Sequence, residues 1–389
     1  MTKFSQLEAD FSLSAVVAGF IVLLVGVTSS GVLVFQAARS FGLDAQGASS
    51  WLGALCLGMG ILGVILSLRY RMPVLLAWST PGAALLAGGI AGVSLAEVTG
   101  AFLFSALLIF LSGITGLFAK IMNRIPMALA SALLGGILLK FCLDTFLSIK
   151  SQPVIVGVML VAYLLGKKWK PRLVMLFVLL AGTIAAAWMG ELQFSQIELA
   201  ATTWSFVSPE WSWHVLLSVG VPLFIVTMAS QNLPGLAVMR AHGFPTPVSS
   251  LLTWTGVVNL VSSCFGGFAI NLAAITAAIA MGPESHEDRD KRYVAGVVSG
   301  VLYMIVGVMA GSVTSLFAAF PAEMVTAIAG IALLSTTASC LQTALEDPHH
   351  KEAAFITFVV AASGLSLFGV GSAFWAITAG AMTQITRKS

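Results

Sequence analysis

Charged positions cut the chain into long uncharged runs, and those runs are the first structural signal. Residues 11–38, 45–68, 72–96, 98–119, 211–239, 241–283, 293–322, 324–345 and 353–386 contain no Asp, Glu, Lys or Arg. An apolar helix needs about 20 residues to cross the hydrocarbon core, so each run holds a crossing. The two longest, 241–283 and 353–386, hold two each, divided near the Gly266-Gly267 pair and near Gly369 and Gly371. Apolar stretches over 126–148, 152–166 and 172–189 bring the expectation to about fourteen transmembrane segments, give or take two because the last are short.

Composition removes the soluble alternatives. Only 9% of the 389 residues are charged, against about 25% in an average soluble domain, and 58% are hydrophobic. A net charge of +3 is too small for a nucleic-acid binder, which needs a basic face. The basic residues matter through their placement, since cytoplasmic loops hold the excess of Lys and Arg. With the N-terminus inside, 16 of the 19 fall on the cytoplasmic side; Arg39 and Lys150 fall outside, and Lys140 lies within a segment. Both termini are then expected in the cytoplasm. No cleavable signal peptide is expected, because Lys3, Glu8 and Asp10 precede an apolar run too long for one. Cys56, Cys142, Cys264 and Cys340 lie in apolar segments without C-x-x-C spacing and read as packing residues, not disulfides or metal ligands.

Seven segments repeated twice must lie in opposite orientations, and traces of such a repeat are present. Ala38-Arg39-Ser40-Phe41-Gly42 after segment 1 answers to Met239-Arg240-Ala241-His242-Gly243 after segment 8. Cys142-Leu143-Asp144-Thr145 recurs as Cys340-Leu341-Gln342-Thr343, and Pro126 as Pro321. The expected fold is an all-α membrane protein of two inverted seven-segment repeats, 1–192 and 205–389, the signature of a secondary transporter.

In such folds interrupted helices near the bilayer midplane build the site, because unwound backbone is tolerated only where it is buried in protein or faces a cavity. In segment 3, Trp78-Ser79-Thr80-Pro81-Gly82-Ala83 reads as an extended stretch ending at an N-cap, with Pro81 suited to the first helical position. In segment 10, Gly266-Gly267-Phe268-Ala269-Ile270-Asn271-Leu272-Ala273 is a Gly-rich stretch followed by Asn271 as a capping candidate. If the repeats are inverted, two helix N-termini face each other, an arrangement that favours an anion and a carboxylate above all. Segment 8 adds Gln231 and Asn232 and segment 1 adds Ser30 as neutral hydrogen-bonding groups, while Trp78 and Phe268 flank the breaks as aromatic walls. The structural alternatives stay open: a kink at Ser-Thr-Pro, interhelical glue at Gln231 and Asn232, and core or lipid packing for the two aromatics.

Other patterns read as structural. Gly58-Met59-Gly60-Ile61-Leu62-Gly63 matches the dinucleotide pattern but lies in an apolar helix with no preceding strand, and Gly296, Gly300, Gly307 and Gly311 mark a tightly packed helix. His349-His350 lacks further ligands for a metal, and no metal or cofactor is expected.

At 78–85 and 231–240 the chain closely resembles the bacterial benzoate:proton symporter family, itself similar to nucleobase and sulfate carriers. The resemblance implies a core domain of segments 1–4 and 8–11 and a gate domain of segments 5–7 and 12–14. It also implies elevator-like movement of one against the other, and import of benzoate or a similar aromatic carboxylate with protons across the inner membrane. Ser79, Thr80, Pro81, Gly82, Ala83, Gly267, Phe268, Asn271 and Ala273, with Ser30, Trp78, Gln231 and Asn232, are then the expected substrate site. Nucleobase carriers place carboxylates on segments 8 and 10, where this chain has Gln231, Asn232 and Asn271, so Asp144 is the acidic candidate for proton coupling. Lys140 one turn earlier can pair with it, making a structural ion pair the alternative, and the ligand entering as the neutral acid a third. The competing functions are a carrier of this fold for nucleobases or inorganic anions, and an anion channel, which needs a cationic ring where only Lys140 qualifies. An enzyme is not expected, since no H-E-x-x-H, G-x-S-x-G or intramembrane His pair is present. The expected partners are a small aromatic carboxylate, protons, the bilayer and, as an open expectation, a second copy of the chain, with no nucleic acid.

Overall fold

A computed structural model of the chain describes residues 10–88, 92–118, 126–169, 174–273, 275–283, 285–365, 367 and 372–386. The first half runs α1 (Leu13–Ser40), α2 (Ala45–Tyr70), β1 (Leu76–Trp78), α3 (Thr80–Ala87), α4 (Leu95–Thr115), α5 (Met127–Leu147), α6 (Pro153–Trp169) and α7 (Val174–Trp188). An irregular connection over 189–212 leads to α8 (Trp213–Arg240), α9 (Val248–Ser262), β2 (Ile270–Leu272), α10 (Ile275–Met281), α11 (Tyr293–Val308), α12 (Ala310–Ala318), α13 (Ala322–Glu346), α14 (Lys351–Ala362) and α15 (Ser372–Thr386).

The order of elements in the second half follows that of the first, except that the single helix α4 is answered by two, α11 and α12. Helices beginning at Leu13, Met127 and Val174 have counterparts beginning at Trp213, Ala322 and Ser372, and β1 has β2. Among the described residues eight helices are long and apolar enough to cross a hydrocarbon core. The other predicted segments contain shorter helices, two of them because segments 3 and 10 are interrupted as expected. The expected division at Gly266 is real: its φ of +85° closes a turn after Phe265 and starts the extended stretch before β2. Gly369 and Gly371 lie outside the described residues.

The glycines of the dinucleotide-like pattern serve close packing. α2 lies along α11, and a methyl on Gly60 would come 2.6 Å from the Gly300 carbonyl oxygen, while one on Gly300 would come 2.8 Å from that of Gly60. Helix α4 packs on α9; α5 packs on α13 and α14, and α6 on α7. The cysteines are free, with Cys56, Cys142 and Cys340 buried.

The connection after α7 is held by main chain to the ends of several helices. Gln193 N–H donates to Ala319 C=O (3.1 Å), Thr202 N–H to Val308 C=O (2.8 Å), Val207 N–H to Cys264 C=O (2.8 Å) and Glu210 N–H to Ala96 C=O (3.0 Å). The hydroxyls of Ser49 and Ser50 on α2 accept from Thr203 and Ser205 N–H, both at 3.1 Å.

Candidate functional site

Extended backbone inside an apolar bundle must find partners for every N–H and C=O, and the pairing of β1 with β2 supplies most of them. The strands are antiparallel, with Leu76 opposite Leu272, Ala77 opposite Asn271 and Trp78 opposite Ile270. Ala273 N–H to Leu75 C=O (2.9 Å) and Ser79 N–H to Ala269 C=O (3.0 Å) extend the ribbon at both ends. Side chains complete it from outside. Asn259 on α9 accepts from Ile270 N–H (2.6 Å) and donates to Ile270 C=O (2.8 Å). Asn232 on α8 accepts from Leu272 N–H (2.9 Å), and Ser67 on α2 accepts from Val74 N–H (3.1 Å).

Each strand then turns into a half-helix. Ser79 is the N-cap of α3: its Oγ accepts from Gly82 N–H (3.1 Å) and from the Thr227 hydroxyl (3.0 Å). Thr80 is the first helical residue and Pro81 the second, one place later than expected. Asn271 is not the cap of α10. Pairing with β1 keeps the chain extended through Leu272, so the helix starts only at Ile275, and the Asn271 amide instead donates to Ala269 C=O (2.8 Å). That bond braces Ala269, which sits at a φ of +47°. Asn271 Oδ1 is buried without a partner among the described residues.

Helix α8 passes beside the ribbon with two π-turns, Leu216–Gly220 and Met228–Asn232. Each ends two residues before a proline, Pro222 or Pro234. Proline cannot donate to the carbonyl four residues back, and a widened turn reassigns the freed groups. The second π-turn carries Gln231 and Asn232. One turn on, Gly235 lets α8 touch β2, where a methyl would meet Leu272 Cβ at 2.8 Å.

A cavity of about 550 Å³ opens where these elements meet. The N-terminal ends of both half-helices line it, through Thr80 and Pro81 of α3, and Thr276 of α10 with the preceding Ala273. Trp78 forms a wall, its Nε1–H donating to Ser30 Oγ (2.9 Å) and its ring meeting Tyr303 edge to face at 6.3 Å. Gln231 and Ser230 contribute from α8; Leu138, Tyr163 and Ser335 from α5, α6 and α13 close the far side, with Tyr163 hydroxyl and Ser335 Oγ 3.0 Å apart. None of the described residues lining this cavity is Asp, Glu, His, Lys or Arg.

Of the residues expected from the sequence, Ser30, Trp78, Thr80, Pro81, Gln231 and Ala273 line the cavity together. Ser79, Gly82 and Ala83 lie behind its wall, and the Gly82 N–H is already taken by Ser79. Asn232 is committed to the ribbon, and Gly267 N–H to Ser262 C=O (2.9 Å). Phe268 is fully buried against Trp51 and Phe102, with centroids 5.8 and 5.5 Å away. Asp144 lines a different cavity with Lys140, and among the described residues the two form no ion pair within 4 Å.

The sequence model of the family described as benzoate membrane transport protein matches residues 9–386. The chain belongs to the benzoate membrane transport family. Among curated relatives, the inner membrane protein YdcO of Escherichia coli (strain K12) is 43% identical over 368 residues, 95% of this chain and 94% of that one. The benzoate membrane transport protein of Acinetobacter baylyi is 37% identical over 379 residues, 97% of this chain and 96% of that one. Among solved structures, the transmembrane domain of the cyanobacterium bicarbonate transporter BicA matches with a TM-score of 0.52 at 16% identity, over 93% of this chain and 97% of that chain. SLC26A9 matches with a TM-score of 0.63 at 14% identity, over 95% of this chain and 64% of that chain. These two are likenesses of fold. This member of the benzoate family is a multi-pass membrane transporter built on that fold.

Sequence reasoning about this family member missed Thr276, Tyr163, Tyr303 and Ser335. Thr276 was within reach: it stands 196 residues after Thr80, close to the repeat offset carried by Pro126 and Pro321. The others lie on helices with no local break to draw attention to them.

Proposed function

We propose that the chain imports benzoate or a similar small aromatic carboxylate, together with a proton, across a bacterial inner membrane, by elevator-like movement of segments 1–4 and 8–11 against segments 5–7 and 12–14. The observation that carries this reading is a cavity that offers two helix N-termini and aromatic walls but no charged side chain among its described lining residues. The rings of Trp78, Tyr163 and Tyr303 suit an apolar ring, and the hydroxyls of Thr80 and Thr276 at the N-terminal ends of the half-helices suit a carboxyl group.

Energetics favour a proton riding with the substrate. Burying a carboxylate costs several kcal/mol, while a helix end returns about 0.3 to 2 kcal/mol. With no cation in the wall, hydrogen bonds make up part of the difference and protonation removes the rest. An aromatic acid has a pKa near that of Asp or Glu, about 4, so one proton taken up on the outside and released inside neutralises it for the crossing. Gln231, whose amide has no protein partner among the described residues, completes the carboxyl contacts.

Uptake of radiolabelled benzoate into proteoliposomes under an imposed pH gradient tests the reading. Accumulation that rises as the outer pH falls and collapses with an uncoupler is expected. Accumulation of bicarbonate or uracil in its place, with none of benzoate, overturns it.

A further inference from the structure

A second cavity, about 390 Å³, lies at the opposite end of α5 from the start of that helix, between the ends of α1 and α3 and the turns of α5 and α13 beside them. The distribution of basic residues assigns this side to the outside. Two cations, Arg39 of α1 and Lys140 of α5, face one carboxylate, Asp144, and the rings of Phe35, Phe141 and Phe320 wall it. Neither Lys140 nor Asp144 makes a side-chain hydrogen bond or ion pair with any described residue, and the Arg39 guanidinium lies 5.6 Å from the Phe35 ring centroid. Gln36 Oε1, on the same wall, is buried with no donor among the described residues.

The neighbouring space beyond Arg39 holds Asp44, whose carboxylate is already engaged as the N-cap of α2, accepting from Gly47 N–H at 2.7 Å. The end of α3 facing the cavity brings carbonyl groups, one of which, on Leu86, accepts from the Ser40 hydroxyl (2.9 Å). The lining of the cavity itself, Arg39 and Lys140 against Asp144, carries one net positive charge, with Asp44 in the adjoining space, and it joins helices from both groups, in contrast to the uncharged cavity at the half-helices.

We propose that this cavity is an outer collecting site, in which Arg39 and Lys140 hold the carboxylate of an aromatic anion over the phenyl rings before it reaches the half-helices. The proposal rests on the reading of the substrate as an aromatic carboxylate. Asp144 competes with the anion for Lys140, which keeps the hold weak enough for release.

Initial rates of benzoate uptake into right-side-out membrane vesicles, measured against outside concentration at low and high salt, test it. Arg39→Gln and Lys140→Gln should each raise KM about 3- to 10-fold and flatten the salt dependence of kcat/KM, the mark of lost electrostatic attraction. Their kcat should stay unchanged, Lys140→Arg should restore KM, and benzoate binding to the purified variants, followed by tryptophan quenching, should stay within about twofold of the parent chain. Unchanged KM and salt dependence in both variants, or a fall in kcat alone, overturns the collecting site while leaving the substrate reading intact. Absence of benzoate uptake by the parent chain overturns both.

Discussion

The two interrupted spans share one ribbon but are held in place by different means. The first is punctuated locally: Ser79 caps α3, Pro81 follows in its first turn, and Ser67, seven residues before Val74, ties the entering strand. The second has no capping residue where its sequence offers one. β2 is fixed from outside by Asn259 of α9 and Asn232 of α8, and its own Asn271 braces the left-handed turn at Ala269. One break is therefore written into its own segment, and the other is imposed by neighbours up to 40 residues away.

Breaking the imposed side should cost most. Asn259→Ala leaves Ile270 N–H and C=O both buried and unpaired, and orphaned groups of this kind cost roughly 1–3 kcal/mol each. A loss of about 2–4 kcal/mol, read as a lowered unfolding midpoint in detergent, is expected; an unchanged midpoint would show that β2 needs no outside support. Ser79→Ala removes the local cap, worth about 1 kcal/mol, and strands the Thr227 hydroxyl. It should lower stability less than Asn259→Ala while reducing uptake about tenfold, and full uptake would separate the cap from function. Thr80→Val and Thr276→Val sharpen the comparison, since the two occupy matching places at the half-helix ends. Each should raise KM for benzoate several-fold at unchanged stability, and an effect confined to one would mean that a single half-helix carries the carboxyl contact. Asp144→Asn should have the smallest effect on coupling, because its carboxylate does not line the cavity at the half-helices; uptake driven by a pH gradient should keep its proton dependence, and its loss would return Asp144 to the coupling path.

Much of this organisation was legible in the chain. Gaps between charges mark the helices because hydrocarbon excludes charge, and Ser79-Thr80-Pro81 marks the first break because capping and proline chemistry act within one turn. Asn271 was readable as polar and close to a break, yet its role was not, because the length of β2 depends on pairing with a strand 194 residues earlier. Lys140 and Asp144 have the spacing of a helical ion pair, but spacing does not reveal that a cavity lies beside them. Asn232, with Gln231, also reads as glue between helices, and Asn259 carries no local signal at all; that the target of both asparagines is backbone follows only from where the strand passes.

The connection between the halves has a mechanical consequence. From Gln193 to Glu210 it is laced to the ends of α12, α11, α9 and α4, like a belt drawn across one end of a barrel. Helices laced by one belt are tied to one another, and α7 joins the belt through the short stretch between Trp188 and Gln193, where Gly190 turns at a φ of +74°. In the proposed elevator movement this stretch is one of three places where the chain passes from one group of helices to the other, and shortening it should slow transport without changing the cavity at the half-helices.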